Sequence, residues 1–216
     1  MATYLEQSLK MLEEFEGSIP WMYLDTVGKV TVGVGLMLPD AAAAERLPFV
    51  IGGQPATADE IGAEFARVHA MAMGRPAQFY HHDGGPTLEQ ATIDSLLQSV
   101  LLGFEGELRA GIGGYDGFPD SVKMALLDMA YNLGPTGLIK GYPRLIKAVE
   151  AGNWAQAAAG CFRHGPGGAR NQWTQHMFLQ NVVGSMTAQA EGRLKDIAYG
   201  LVGMGASAVG WIRRRR

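Results

Sequence analysis

Glu16, Asp25 and Thr31 stand nine and six residues apart near the start of the chain, in the stretch EGSIPWMYLDTVGKVT. The first two suit one kind of chemistry. Hydrolysis of a glycosidic bond commonly needs two carboxyl groups flanking the scissile bond, with room between them for a water. One must be protonated to serve the leaving oxygen, and the other must be ionised.

The elements that would hold these residues can be read from the neighbouring sequence. Residues 3–16 predict an amphipathic helix: Thr3 and Glu6 form a capping box, and Leu5, Leu9, Leu12 and Phe15 recur at helical spacing. Glu13 and Glu14 lie off that stripe. Glu16 comes last, before Gly17, a natural stop. Its carboxyl therefore sits at the negative end of the helix dipole, with Phe15 and Trp21 close in sequence, surroundings that favour the neutral acid a proton donor needs. Beyond it the period changes. Trp21 to Leu24 predicts a strand, Asp25-Thr26-Val27-Gly28 a tight turn, and Val30, Val32 and Val34, alternating with Thr31, Gly33 and Gly35, a second strand. The two glycines share the face of Thr31 and leave room for a ligand at the backbone. A cleft between a helix end and a hairpin face follows. Taken singly, an aspartate opening a turn and a threonine in a strand are ordinary structural choices; a glutamate ending a helix is less so, because it is destabilising there.

Glu16, Gly17, Tyr23, Asp25, Thr26, Gly28, Thr31, Gly33 and Gly35 together form a pattern that resembles the catalytic segment of the phage-type lysozymes, enzymes that hydrolyse bacterial peptidoglycan. Two further blocks resemble the same family: ALLDMAYNLGPTGL (Ala125 to Leu138), its long central helix and following turn, and AGNWAQAAAGCF (Ala151 to Phe162), its next helix. The resemblance is weakest between Pro39 and Ser121. It implies that Glu16 protonates the leaving oxygen and that Asp25 and Thr31 orient and activate the attacking water, an inverting arrangement. It also places Met37 and Tyr131 where family members contact the glycan, with Asn132 beside them. No cofactor or metal is implied. The implied reaction is cleavage of the β-1,4 bond between N-acetylmuramic acid and N-acetylglucosamine, and the implied partner is the peptidoglycan strand. Two rival readings of the same fold are a non-catalytic peptidoglycan-binding module and a lytic transglycosylase; the latter typically needs one catalytic acid, so Asp25 and Thr31 favour hydrolysis.

Three departures from the family stand out. Leu36 occupies a position that usually carries histidine; Pro39 to Thr57 is longer than the usual connection; and ARNQWTQHMFLQN replaces an Arg-rich helix, so that Arg170 matches only loosely.

The remaining segments fill in an α+β, lysozyme-like architecture, with a small β-hairpin lobe over about 17–56, a larger helical lobe formed by the rest and residues 1–16, and the active-site cleft between them. Thr57 and Glu60 form another capping box, ahead of Ile61, Phe65 and Val68. Thr87 and Gln90 predict a helix start before Ile93, Leu96, Leu97 and Val100. The intervening QFYHHDGGP reads as a loop, and its consecutive His81, His82 and Asp83 rarely converge on one metal ion. Asp120 opens the strongest helical pattern, lined by Val122, Ala125, Leu126, Met129, Ala130 and Leu133 and ended by Gly134-Pro135.

Composition narrows the setting. Hydrophobic residues make up 47% and charged residues 18% of the chain, which fits a full core. Net charge is −3, and four arginines lie at the very end, so the body is acidic and nucleic acid is not expected as the ligand. Cys161 is the only cysteine, so no intrachain disulfide can form, and a buried inert thiol is expected. The N-terminus lacks the basic, apolar and small-residue succession of a signal peptide. The expectation is synthesis in the cytoplasm and action on the cell wall in the periplasm by another route. Either an endolysin or an antibacterial effector guarded by an immunity protein fits. Residues 1–196 read as the catalytic domain and 197–216 as a tail. The uncharged stretch Ile197 to Ile212 is shorter than the roughly 17–25 residues of a membrane span. With Trp211 and the arginines it suggests weak association with an anionic membrane, against the plainer reading of a Gly-rich segment packed on the helices.

Overall fold

The structure, a computed structural model, describes residues 3–182. The tail, its membrane-association reading and the 196/197 boundary lie outside the described residues. Helix α1 (Tyr4–Glu16) starts at the expected capping box: the Glu6 amide donates to Thr3 Oγ1 at 3.3 Å and the Thr3 amide to Glu6 Oε2 at 2.8 Å. It stops at Gly17, whose φ of +76° lies where residues with a Cβ are strained.

Strands β1 (Ile19–Leu24), β2 (Val30–Gly33) and β3 (Leu36–Met37) form one antiparallel sheet in that order. Tyr23 pairs with Thr31, and Thr31 pairs with Met37. The predicted β1–β2 turn is present, with the Gly28 amide donating to the Asp25 carbonyl at 3.1 Å. The valine alternation misleads at its end. Gly33 (φ +65°) and Gly35 (φ +80°) reverse the chain, so Val34 sits in a turn rather than in the strand. Gly33 is also needed for contact, since a Cβ there would meet Ile93 Cγ2 at 3.2 Å.

The segment Pro39 to Thr57 is folded into the body. It forms α2 (Ala41–Glu45), capped by Asp40, and a hairpin of β4 (Val50–Ile51) and β5 (Gln54–Pro55). Ala44 and Phe49 are buried, and α2 packs on α3 (Ala58–His69). Val50 exchanges both backbone hydrogen bonds with Thr87, at 2.8 and 2.9 Å. That pairing removes Thr87 from the helix-capping role expected of it, and α4 (Gln90–Gly111) starts after Glu89 without a side-chain cap.

The histidine loop does two separate jobs. His81 meets the Trp21 ring edge-on at 4.5 Å, while His82 Nε2 lies 3.0 Å from Glu64 Oε2. Glu64 is buried and also accepts two hydrogen bonds from Arg67. Burial alone would raise its pKa, but Arg67 and His82 together outweigh it and hold this carboxyl below its ordinary range.

The centre of the helical part is α5 (Asp120–Leu133), as its apolar pattern predicts. Every residue from Met124 to Ala130 is buried. Helices α1, α4, α6 (Pro135–Gly141) and α9 (Gly168–Leu179) pack around it. Fully burying a side chain such as Leu126 or Met129 contributes about 1.5–3 kcal/mol. Helices α7 (Pro143–Glu150) and α8 (Trp154–Gly160) complete the described helices. Cys161 follows α8, its buried thiol donating to the Ala158 carbonyl at 3.2 Å; burial pushes its pKa up, away from the reactive thiolate. The molecule is mostly helical with a small antiparallel sheet, an α+β fold. Among the described residues no helix is long and apolar enough to cross a membrane.

Candidate active site

Glu16 ends α1 beside an open pocket of about 380 Å³, bounded also by Phe15, Asn132, Arg170 and the loop Gly165 to Gly167. One third of its side chain is exposed (34%), enough for a ligand to reach the carboxyl. The surroundings differ from those the sequence suggests. Instead of an apolar wall, the Arg170 guanidinium from α9 hydrogen-bonds Glu16 Oε1, and the Phe15 ring lies 5.7 Å under the same guanidinium. Burial works against the charge on Arg170, but the Asp128 and Glu16 carboxylates outweigh it and raise the pKa of the guanidinium above its ordinary value.

Asp25 stands at the hairpin turn. Its Oδ1 accepts from the Val27 amide at 2.9 Å and the Lys29 amide at 2.7 Å, which fixes the turn. Oδ2 takes no hydrogen bond among the described residues, so it can receive one from a water or a ligand. Tyr23 lies on β1, two residues before Asp25. Partial burial raises its phenol pKa, and the charges of Asp25 and Glu16 raise it further. Thr31 lies deeper, at 3% exposure, and its hydroxyl donates to the Lys29 carbonyl at 3.0 Å. With its proton committed there, Thr31 can serve a water only as an acceptor.

The three residues given as glycan contacts divide between two hollows. Asn132 lies in the pocket with Glu16. Met37, half exposed, and Tyr131 line a second, apolar pocket of about 190 Å³ between β2–β3 and α4. Because Tyr131 and Asn132 are neighbours at the end of α5, that helix end joins the hollows. The Tyr131 hydroxyl donates to the carbonyl of Val34 in the β2–β3 turn, tying the helical part to the sheet. Burial, then the Glu16 charge, push its phenol pKa up. Tyr131→Phe should lower stability by about 0.5–1.5 kcal/mol, the usual net contribution of one hydrogen bond. Urea unfolding checks this: the midpoint should fall with an unchanged slope, whereas an unmoved midpoint would mean that the bond contributes nothing.

Sequence reasoning missed the role of Arg170 and of its supporters. Asp128, fully buried in α5, receives Arg170 Nε on Oδ1 at 2.6 Å and Arg163 on Oδ2 at 2.6 Å. A buried aspartate in an apolar helix was the available signal, because such a charge must find partners. Among the described residues no group of three or more His, Cys, Asp or Glu is arranged to hold a metal ion.

No family model and no curated protein matches the chain. Among solved structures it is similar to "Endolysin from Escherichia coli O157:H7 phage FAHEc1", at 17% identity and a TM-score of 0.48, over 82% of this chain and 92% of that one.

Proposed function

We propose that the chain is a muramidase, hydrolysing the β-1,4 bond between N-acetylmuramic acid and N-acetylglucosamine in peptidoglycan without a cofactor. The observation that supports this reading is Glu16 at the end of α1, one third exposed and open to a pocket, with the neighbouring hairpin turn leaving one Asp25 oxygen unengaged. In the proposed reaction Glu16 gives its proton to the leaving glycosidic oxygen as that bond breaks. A water held by Asp25 Oδ2, and by Thr31 as acceptor, attacks the muramic C1 from the opposite face and passes its proton to Asp25. One displacement inverts the anomeric centre. The carboxylate left on Glu16 receives the Arg170 hydrogen bond, which strengthens as charge develops and so favours the transition state. Met37, Tyr131 and Asn132 hold the glycan on either side.

Incubating the full chain with purified sacculi tests the reading. Release of soluble muropeptides with reducing ends is the expected outcome. Binding without release would support a glycan-binding module, and 1,6-anhydro ends would support a transglycosylase; either result would contradict the proposal.

A further inference from the structure

Behind the exposed end of Glu16 the structure holds a chain of alternating charges that is buried from Arg170 inward. It runs from Glu16 to Arg170, to Asp128, to Arg163. Both faces of the Arg170 guanidinium edge are used, Nε toward Asp128 and a terminal nitrogen toward Glu16. Asp128 is held in turn. Arg163 donates to its Oδ2 at 2.6 Å and to its backbone carbonyl at 3.1 Å, and Thr174 Oγ1 lies 2.6 Å from the same Oδ2. Thr174 also accepts from Arg163 and lies 2.9 Å from the Arg170 carbonyl, so its single proton is shared between two acceptors. Arg163 and Asp128 are 1% and 0% exposed at the side chain. Two anions and two cations balance, and a planar guanidinium fixed at one edge cannot swing away from its other partner.

We propose that Asp128 is a positioning residue for the reaction: by fixing the Nε edge of Arg170 it sets where the Glu16 carboxyl sits, with Arg163 balancing the charge. Its bearing on catalysis rests on the muramidase reading, but the coupling from Asp128 to Glu16 can be measured without substrate. A purely architectural role, stapling α9 to α5, would show as lost stability with kcat unchanged in the folded variant.

Asp128→Asn keeps the side-chain volume and removes one negative charge, while both guanidinium groups remain. The field at Glu16 then becomes more positive. The other charged or titratable groups that interact with Glu16, namely Arg170 from α9, Tyr23 from the hairpin and Tyr131 from α5, are unchanged. Carboxyl-carbon NMR of the full chain, with the Glu16 signal assigned by comparison with Glu16→Gln, should show that signal titrating at lower pH in the variant than in the unaltered chain. If the chain degrades sacculi, kcat should fall by about 100-fold with KM little changed, because the acid is misplaced while the glycan contacts remain. The alkaline limb of the rate profile should move to lower pH with the titration. An unmoved Glu16 titration in a folded variant overturns the proposal, whatever the activity. An inactive wild-type chain that still shows the shift would fail the muramidase reading alone. Should Asp128→Asn not fold, the unaltered protein supplies the test: the Arg170 Nε–H resonance must shift at the pH where Glu16 titrates, and an invariant resonance overturns the coupling.

Discussion

Replacing Glu16 with glutamine should lower the release of muropeptides from purified sacculi by at least about 100-fold, the loss expected when a general acid is removed. The amide fills the same space and its oxygen can still accept from Arg170, but it has no proton to give. Stability should hardly change. A part-exposed ion pair contributes about 1 kcal/mol or less, and removing a negative charge from a helix C-terminus returns about 0.3–1 kcal/mol. The two effects oppose each other. Thermal unfolding alongside the activity assay therefore separates lost chemistry from lost fold. A folded variant with full activity would remove Glu16 from the mechanism.

Arg163→Met should be strongly damaging to the fold. The substitution keeps much of the side-chain bulk, so packing is not the main loss. It leaves Asp128, which has no exposed surface, with one cation instead of two. Removing one partner of a buried ion pair is destabilising by about 3–5 kcal/mol. For a chain of this size that corresponds to a fall in Tm of roughly 10 °C. Asp116→Asn is the comparison: Asp116 pairs with Arg109 at the surface, with 74% of its side chain exposed, and its loss should leave Tm where it is. Equal effects from the two variants would show that burial does not decide the value of these pairs.

What the sequence shows and what it hides divide along one physical line. Local rules write themselves into neighbouring residues, so the Thr3 and Thr57 capping boxes, the Asp25 turn and the buried helix of Asp120 to Leu133 are all legible. The same rules fail where a distant partner outbids them. Thr87 is a plausible cap in isolation, but Val50 takes its backbone into a β-bridge. Val34 continues an alternation, but two left-handed glycines turn the chain. The candidate site is half legible for the same reason. Glu16, Asp25 and Thr31 lie within one short stretch, and Tyr131 and Asn132 lie on one helix. Arg170, 154 residues from Glu16, and Asp128, 42 residues from Arg170, meet only through the packing of α9 on α5 and its side-chain contacts with the end of α1. That meeting also explains why the apolar surroundings expected at Glu16 are wrong. Phe15 is there, but it lies under the guanidinium that reaches the acid.

The most direct test is to digest purified sacculi with the unaltered chain in water enriched in ¹⁸O, reduce the products at once with borohydride, and weigh them by mass spectrometry. Hydrolysis at muramic acid places one heavy oxygen on the new reducing-end C1, and that label is the predicted result. Unlabelled 1,6-anhydro ends, label on N-acetylglucosamine instead, or no soluble product at all would contradict the account.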